Sequence, residues 1–214
     1  PQFDQLNPVE LTIDDEKFRG NSDLDPESAI GIDLGYDHFI ADSGEIGINF
    51  FYREVEDLIE YRQTDISIGG TDFELRQAIN NRNTGKVMGV ELDFSAPMTL
   101  INLPSAQAFF NLTLLDSEVE DDYFEGVKRR FSGQAKYVYN LGFEHELAAL
   151  QASYGLSYQK QGDSEEFEGN EINRIRYDGN LEVFIEKRFD NGNYALRLSG
   201  QNLLDAEKNE LIRK

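Results

Sequence analysis

The sequence has no cysteine and no tryptophan, only five prolines and two histidines, and 20 basic residues against 41 acidic ones. Each shortage excludes something. Without cysteine there are no disulfide staples and no thiolate metal sites. A formal charge of −21 argues against a nucleic-acid-binding surface, which needs clustered Lys and Arg to neutralise phosphates. No apolar run approaches the ~20 residues of a transmembrane helix. No zinc, phosphate-loop or nucleophile-elbow spacing is present, and His38 and His145 are too far apart in sequence to form a local ligand pair. We therefore expect no catalytic residue, no metal and no cofactor. The acidic run "DSEVEDDYFEG" (116–126) has carboxylates suited to calcium but lacks the fixed spacing of an EF-hand loop. Neither a signal peptide nor an initiator Met is present, so the chain reads as an excised or processed piece.

What the chain does have is 18 Gly, 10 Tyr, 15 Phe and a period-two pattern. In "IGIDLGYDHFI" the even positions Ile30, Ile32, Leu34, Tyr36, His38 and Ile40 alternate with Gly31, Asp33, Gly35, Asp37 and Phe39. The same alternation marks Ile46–Tyr52, Met88–Phe94, Ala108–Leu114, Phe131–Phe143, Leu147–Tyr158, Ile175–Ile185 and Tyr194–Gly200. Alternation at this period is the mark of half-buried strands. The fold class expected is all-β, an antiparallel up-and-down meander of about eight long strands.

Alternation does not say whether the apolar face meets a protein core or lipid. The connections bear on it. Short links near 41–44, 97–105, 144–147 and 189–193 alternate with long ones at 1–26, 54–84, 116–130 and 160–172. All long loops must then emerge at one end of the sheet, which is the pattern of outer-membrane barrels. At "RFDNGNY", Asn191-Gly192 is a two-residue hairpin signal. It pairs Glu186 with Arg197, Ile185 with Leu198 and Phe184 with Ser199, and so keeps each face uniform. Charge follows the loops: residues 4–27, 54–83, 116–130 and 160–172 carry nets of −6, −4, −3 and −4, which is −17 of the −21. Mutually repelling solvated loops and an acidic rim facing cation-bridged lipopolysaccharide or a cationic ligand both fit this distribution.

Specific stretches carry a resemblance. "GNSDLDPESAIGIDLGYDHFI" (20–40) resembles the "N-P-x-L-x-P-E" signature of TonB-dependent outer-membrane receptors, with Ser22 where Pro is usual. "GEIGINFFYREVEDLIEY" (44–61), "NTGKVMGVELDFSAPM" (83–98) and "GQNLLD" (200–205) are similar to further motifs of that family, in the family's order. The resemblance implies a segment of a transmembrane β-barrel, with residues 1–214 as its C-terminal portion and the plug domain and final strand absent. Such barrels have about 22 strands. It further implies a Gram-negative outer-membrane location and uptake of a scarce ligand such as a ferric siderophore. Expected partners are that imported ligand, outer-membrane lipid and lipopolysaccharide, and the TonB energising complex through the absent N-terminal region.

On this reading the even row of the first strand faces lipid. Arg53, Glu91, Asp93, Gln134, Lys136, Arg174, Arg176, Asp178, Glu182 and Arg197 face the interior, mostly as wall residues that pair with one another. Tyr52, Tyr137, Tyr139, Tyr154, Tyr158, Tyr177 and Tyr194 suit interfacial girdles. The candidate ligand-binding residues are the loop aromatics Tyr61, Phe73, Tyr123, Phe124 and Phe167 and the interior-facing Arg174 and Arg176. Arg129 and Arg130 read as loop anchors. Two other classes also fit the residues: a soluble β-sheet binding module, for instance for carbohydrate, and a passive porin-like barrel.

Overall fold

The computed structural model describes residues 1–13, 16–40, 44–121, 126–168 and 171–213. A one-turn helix, α1 (Phe3–Leu6), precedes β1 (Glu10–Ile13), β2 (Glu16–Arg19), β3 (Ser28–Ile40), β4 (Gly44–Glu56), β5 (Ile59–Ile68) and β6 (Thr71–Asn80). There follow β7 (Gly85–Met98), β8 (Leu103–Glu120), β9 (Lys128–Arg129), β10 (Tyr137–Leu147), β11 (Ala152–Gln161) and β12 (Ser164–Glu168). The last four are β13 (Glu171–Tyr177), β14 (Asn180–Phe189), β15 (Tyr194–Gly200) and β16 (Lys208–Arg213). Eight of these form one antiparallel wall in the order β15-β14-β11-β10-β8-β7-β4-β3, with β9 attached to β8.

The wall keeps its two faces distinct across its width. One register row runs His38, Ile46, Phe94, Phe110, Leu141, Tyr158 and Leu181. The row one residue away runs Asp37, Gly47, Asp93, Asn111, Asn140, Gln159 and Asn180. Because successive side chains point to opposite faces, the first row lies on an apolar face and the second on a polar one. The polar face is stitched across strands. Asn49 donates to Glu91 at 3.1 Å, Asn111 to Asp93 at 2.6 Å, and Arg53 to Asp33 at 2.8 Å. Nothing in the described chain covers the apolar face on the outer strands: Ile32 is 74% exposed and Leu198 71%.

Aromatic rings mark two levels of the apolar face. Tyr137, Tyr139 and Tyr158 lie in ring contact toward the long-loop end, with centroids 6.1 and 6.0 Å apart. Phe143, His145 and Tyr154 meet near the short turns at 6.0 and 5.4 Å. From Tyr137 to His145 is about 27 Å of strand, which at a tilt of about 40° spans about 20 Å, near the apolar height of a membrane barrel.

The long links contain strands of their own. β5 and β6 extend the β4–β7 hairpin and join β1 and β2 in a four-stranded sheet, in which β2 and β6 run parallel. β12 and β13 extend the β11–β14 hairpin and are joined by β16. Each extension is set off from the wall by a break in the backbone ladder, and at two of these breaks asparagine side chains supply the missing bonds. Asp57 takes φ 55° between β4 and β5. There Asn80 donates to the carbonyls of Asp57 at 2.7 Å and Asp25 at 3.0 Å, and its amide oxygen accepts from the Asp25 N–H at 2.8 Å. Fully buried Asn81 donates to Glu60 at 2.9 Å and to the Glu120 carbonyl at 3.1 Å. Between β15 and β16, Asn202 (φ 53°) receives the Ala206 N–H at 2.7 Å and donates to the Ala206 carbonyl at 3.3 Å. Asn and Asp tolerate the left-handed region and mimic backbone partners, which suits them to such breaks. Of these asparagines Asn202 lies in a stretch that carries the family resemblance, and Asp25 and Asp57, the partners of Asn80, lie in two others.

Four boundaries differ from the sequence pattern. The strand expected from Phe131 begins at Tyr137, because Gly133 at φ 74° turns the chain between them. The strand expected from Leu147 begins at Ala152, after a 3-10 turn over Ala148–Leu150 that ends at Gln151 with φ 46°. Ile175–Ile185 splits at Asp178-Gly179, where a Cβ on Gly179 would sit 1.8 Å from the Tyr158 hydroxyl. The stretch after "NLLD" returns to strand as β16 and pairs with β13. The hairpin register itself is as the turn requires: Phe184 faces Ser199, Ile185 faces Leu198 and Glu186 faces Arg197. Residues 41–43 of the first expected turn lie outside the described residues.

Two substitutions separate the faces. With the apolar face against lipid, Phe110→Lys is expected to destabilise the folded wall by about 2–4 kcal/mol in a bilayer. Asn111→Lys, on the polar face, should cost under about 1 kcal/mol. Equilibrium folding into liposomes measures both.

Candidate functional site

At the long-loop end, segments distant in sequence converge on Arg129. Its guanidinium donates through Nε to Asp121 at 2.5 Å and through Nη2 to Glu60 at 2.6 Å. Its face lies 4.6 Å from the centroid of the Phe167 ring. The three side chains of the ion-pair cluster are 10–14% exposed. Burial pulls the Arg129 pKa down, but the hydrogen bonds and charges of Asp121 and Glu60 outweigh it and hold the group above the ordinary arginine value.

Two clefts flank the turn that follows Arg129. The first, of about 270 Å³, is lined by Leu58, Ile59, Tyr61, Phe131 and Phe167, with Glu60 and Glu166 beside them. It offers ring faces and aliphatic floor, suited to a planar or apolar group. The second, of about 350 Å³, is lined by Arg130, Gln134, Lys136, Asp163, Glu165 and Arg174, among others. Arg174 contacts Asp163 at 3.1 Å and Arg176 the same carboxylate at 3.6 Å. Arg130 pairs with Asp116 and donates to the Leu115 carbonyl at 2.8 Å. Glu165 pairs with Arg174 in the same register as Gln159 with Asn180, so the polar face of the wall continues into this cleft. Among the described residues no group of three or more His, Asp or Glu could hold a metal ion.

The chain matches the family described as "TonB dependent receptor-like, beta-barrel" over residues 1–205. It belongs to that family. Its structure is similar to the siderophore receptor PirA from Acinetobacter baumannii, with a TM-score of 0.60 and 14% sequence identity, over 89% of this chain. The chain spans 29% of the length of that receptor. No curated protein matches the sequence.

Within this TonB-dependent receptor barrel segment, the residues singled out from sequence are distributed unevenly. Tyr61 and Phe167 line the aromatic cleft together, and Arg174 lines the charged one with Arg176 at its Asp163. Phe73 lies nearer the tip of the same β5–β6 extension as Tyr61, where Lys17 sits 4.7 Å over its ring, and it lines neither cleft. Tyr123 and Phe124 lie outside the described residues, as does the centre of the acidic 116–126 run. The aromatic cleft also uses Phe131, which alternation alone assigns to a wall strand. Ser132-Gly133 immediately after it is the turn signal that marks it as a loop residue.

Gly85 explains how Phe131 reaches its place. A Cβ on Gly85 would stand 2.6 Å from the Phe131 ring, so the ring packs where a side chain would be. Gly85→Val is expected to expel Phe131 and open the aromatic cleft while the wall stays paired. Hydrogen–deuterium exchange should then rise over 128–136 and remain unchanged over 103–114.

Proposed function

We propose that this chain is the C-terminal part of the barrel of an outer-membrane receptor that takes up a scarce ligand, a ferric siderophore or a similar complex, with energy delivered through TonB. Its role is binding and transport, with no enzymatic step. The observation that carries the reading is the pair of adjoining clefts at the long-loop end of a barrel of this family, one aromatic and one charged. A ligand with apolar or aromatic groups beside anionic oxygens would find a ring cleft at Tyr61, Phe131 and Phe167, and cationic donors at Lys136 and Arg174. The structurally similar Acinetobacter protein is a siderophore receptor, which supports a siderophore as ligand here. The uncovered apolar rows of β3 and β15 support a lipid environment over a soluble module.

The test uses the full-length receptor in a host lacking its own uptake systems, supplied in turn with ferric citrate, a ferric catecholate and a ferric hydroxamate. Uptake of at least one is expected, and it should vanish when TonB is deleted. Tyr61→Ala with Phe167→Ala should raise the half-saturating concentration about tenfold, the effect of losing about 1.4 kcal/mol of contact. Uptake that persists without TonB would point to a passive pore and sink the proposal.

A further inference from the structure

We propose that Arg129 is a positioning residue for the aromatic cleft: it sets ligand affinity by holding Tyr61 and Phe167 in place, without contacting the ligand. The inference rests on the aromatic cleft being the ligand site. It starts from how completely the guanidinium is used. Nε goes to Asp121, Nη2 to Glu60, and Nη1 to the Arg130 carbonyl at 3.2 Å, while the ring face of Phe167 takes the guanidinium plane. These partners come from separate pieces of the long-loop end. Glu60 is on β5, Asp121 follows β8, and Phe167 is on β12. β5 and β12 belong to different sheets, so no backbone ladder joins them.

The wiring continues to both walls of the cleft. Glu60 is the chain neighbour of Tyr61, and its second oxygen is held by fully buried Asn81 at the wall–loop break. Phe167 is fixed from the other side, its N–H donating to Ser132 Oγ at 3.1 Å. A line of contacts thus runs from Asn81 through Glu60 and Arg129 to Phe167, joining two residues that line the cleft. At 10% exposure Arg129 offers little surface to a ligand, which assigns it to support.

Only arginine fits this post. Lysine carries a single point charge, which can satisfy one carboxylate well but offers no planar face to Phe167 and no second in-plane fork. Removing the guanidinium leaves two largely buried carboxylates, Glu60 and Asp121, with no cation between them. Such groups repel and seek water. The expected consequence is that the β5 and β12 extensions part and the ring walls separate.

The experiment uses the full-length receptor in two arms. In the first, hydrogen–deuterium exchange is compared without ligand for wild type, Arg129→Ala and Arg129→Lys. Residues 59–62, 126–133 and 164–168 should exchange at least tenfold faster together in Arg129→Ala, with an intermediate effect in Arg129→Lys and no change over 137–147. A change confined to 126–133 would overturn the proposal. In the second arm, cells take up ferric citrate, a ferric catecholate or a ferric hydroxamate. Arg129→Ala should raise the half-saturating concentration at least tenfold at an unchanged maximal rate per receptor. Adding Tyr61→Ala to it should bring little further loss. A lower maximal rate at unchanged half-saturation, or fully multiplicative losses, would assign Arg129 a merely structural role and overturn the proposal. If wild type takes up none of the three, the receptor reading fails on its own, and the exchange arm still decides whether Arg129 couples the extensions.

Discussion

A strand wall in lipid has one demand that cannot be relaxed: every backbone N–H and C=O must find its partner on a neighbouring strand, because the surroundings offer none. The wall meets it between each pair of adjacent strands, and its register rows stay uniform from β3 to β15. Uniform rows in turn keep apolar and polar side chains on separate faces, since a slip by one residue would exchange the two faces. Glycines such as Gly142 and Gly155 fit the same demand: a Cβ at either position would crowd a neighbouring carbonyl and an aromatic ring at 2.3–2.7 Å. The polar face then needs only local pairing, which Arg53–Asp33 and Asn111–Asp93 provide.

Above the wall the demand changes character. Water is available, strands can stop, and the chain bends at Asp57 and around Asn202. The bends are nonetheless orderly, because Asn80, Asn81 and Asn202 take over the bonds that the ladder drops. The ion-pair cluster at Arg129 sits directly beyond one of these breaks and shares Glu60 with Asn81. Backbone satisfaction at the junction and side-chain placement at the cleft are therefore linked through one carboxylate. The strong negative charge of this end makes a buried cation between two acids a natural choice, since acids are plentiful there and bases are few.

The wall was legible in the sequence because one apolar and one polar face impose period two on every strand, and because Asn191-Gly192 sets a register that the flanking residues corroborate. The boundaries were less so. Phe131 continues an apparent alternation, and only the turn at Gly133 shows that the chain has left the wall. The strands β5, β6 and β12, and β13 before Ile175, were hidden because both of their faces see mixed surroundings, so charge replaces alternation there. Tyr61, Phe167 and Arg174 stood out as aromatics and a base in acidic stretches, which is a local signal. That Tyr61 and Phe167 share a cleft depends on contacts between residues about a hundred positions apart, and no local pattern encodes that. The apparent alternation hid Phe131, and with it the need for Gly85.

The asparagine-locked breaks have a consequence for how such a barrel changes over time. The wall register is anchored below each break, by pairs such as Val55 with Gly85 and Gln159 with Asn180. Residues added or lost at the tip of an outer hairpin, near Gly69-Gly70 for example, alter the length of the extension and leave the wall strands where they were. The junctions act as a firewall between two kinds of selection, one for insertion into a bilayer and one for what is bound above it. Recognition can drift quickly on a chassis that scarcely moves.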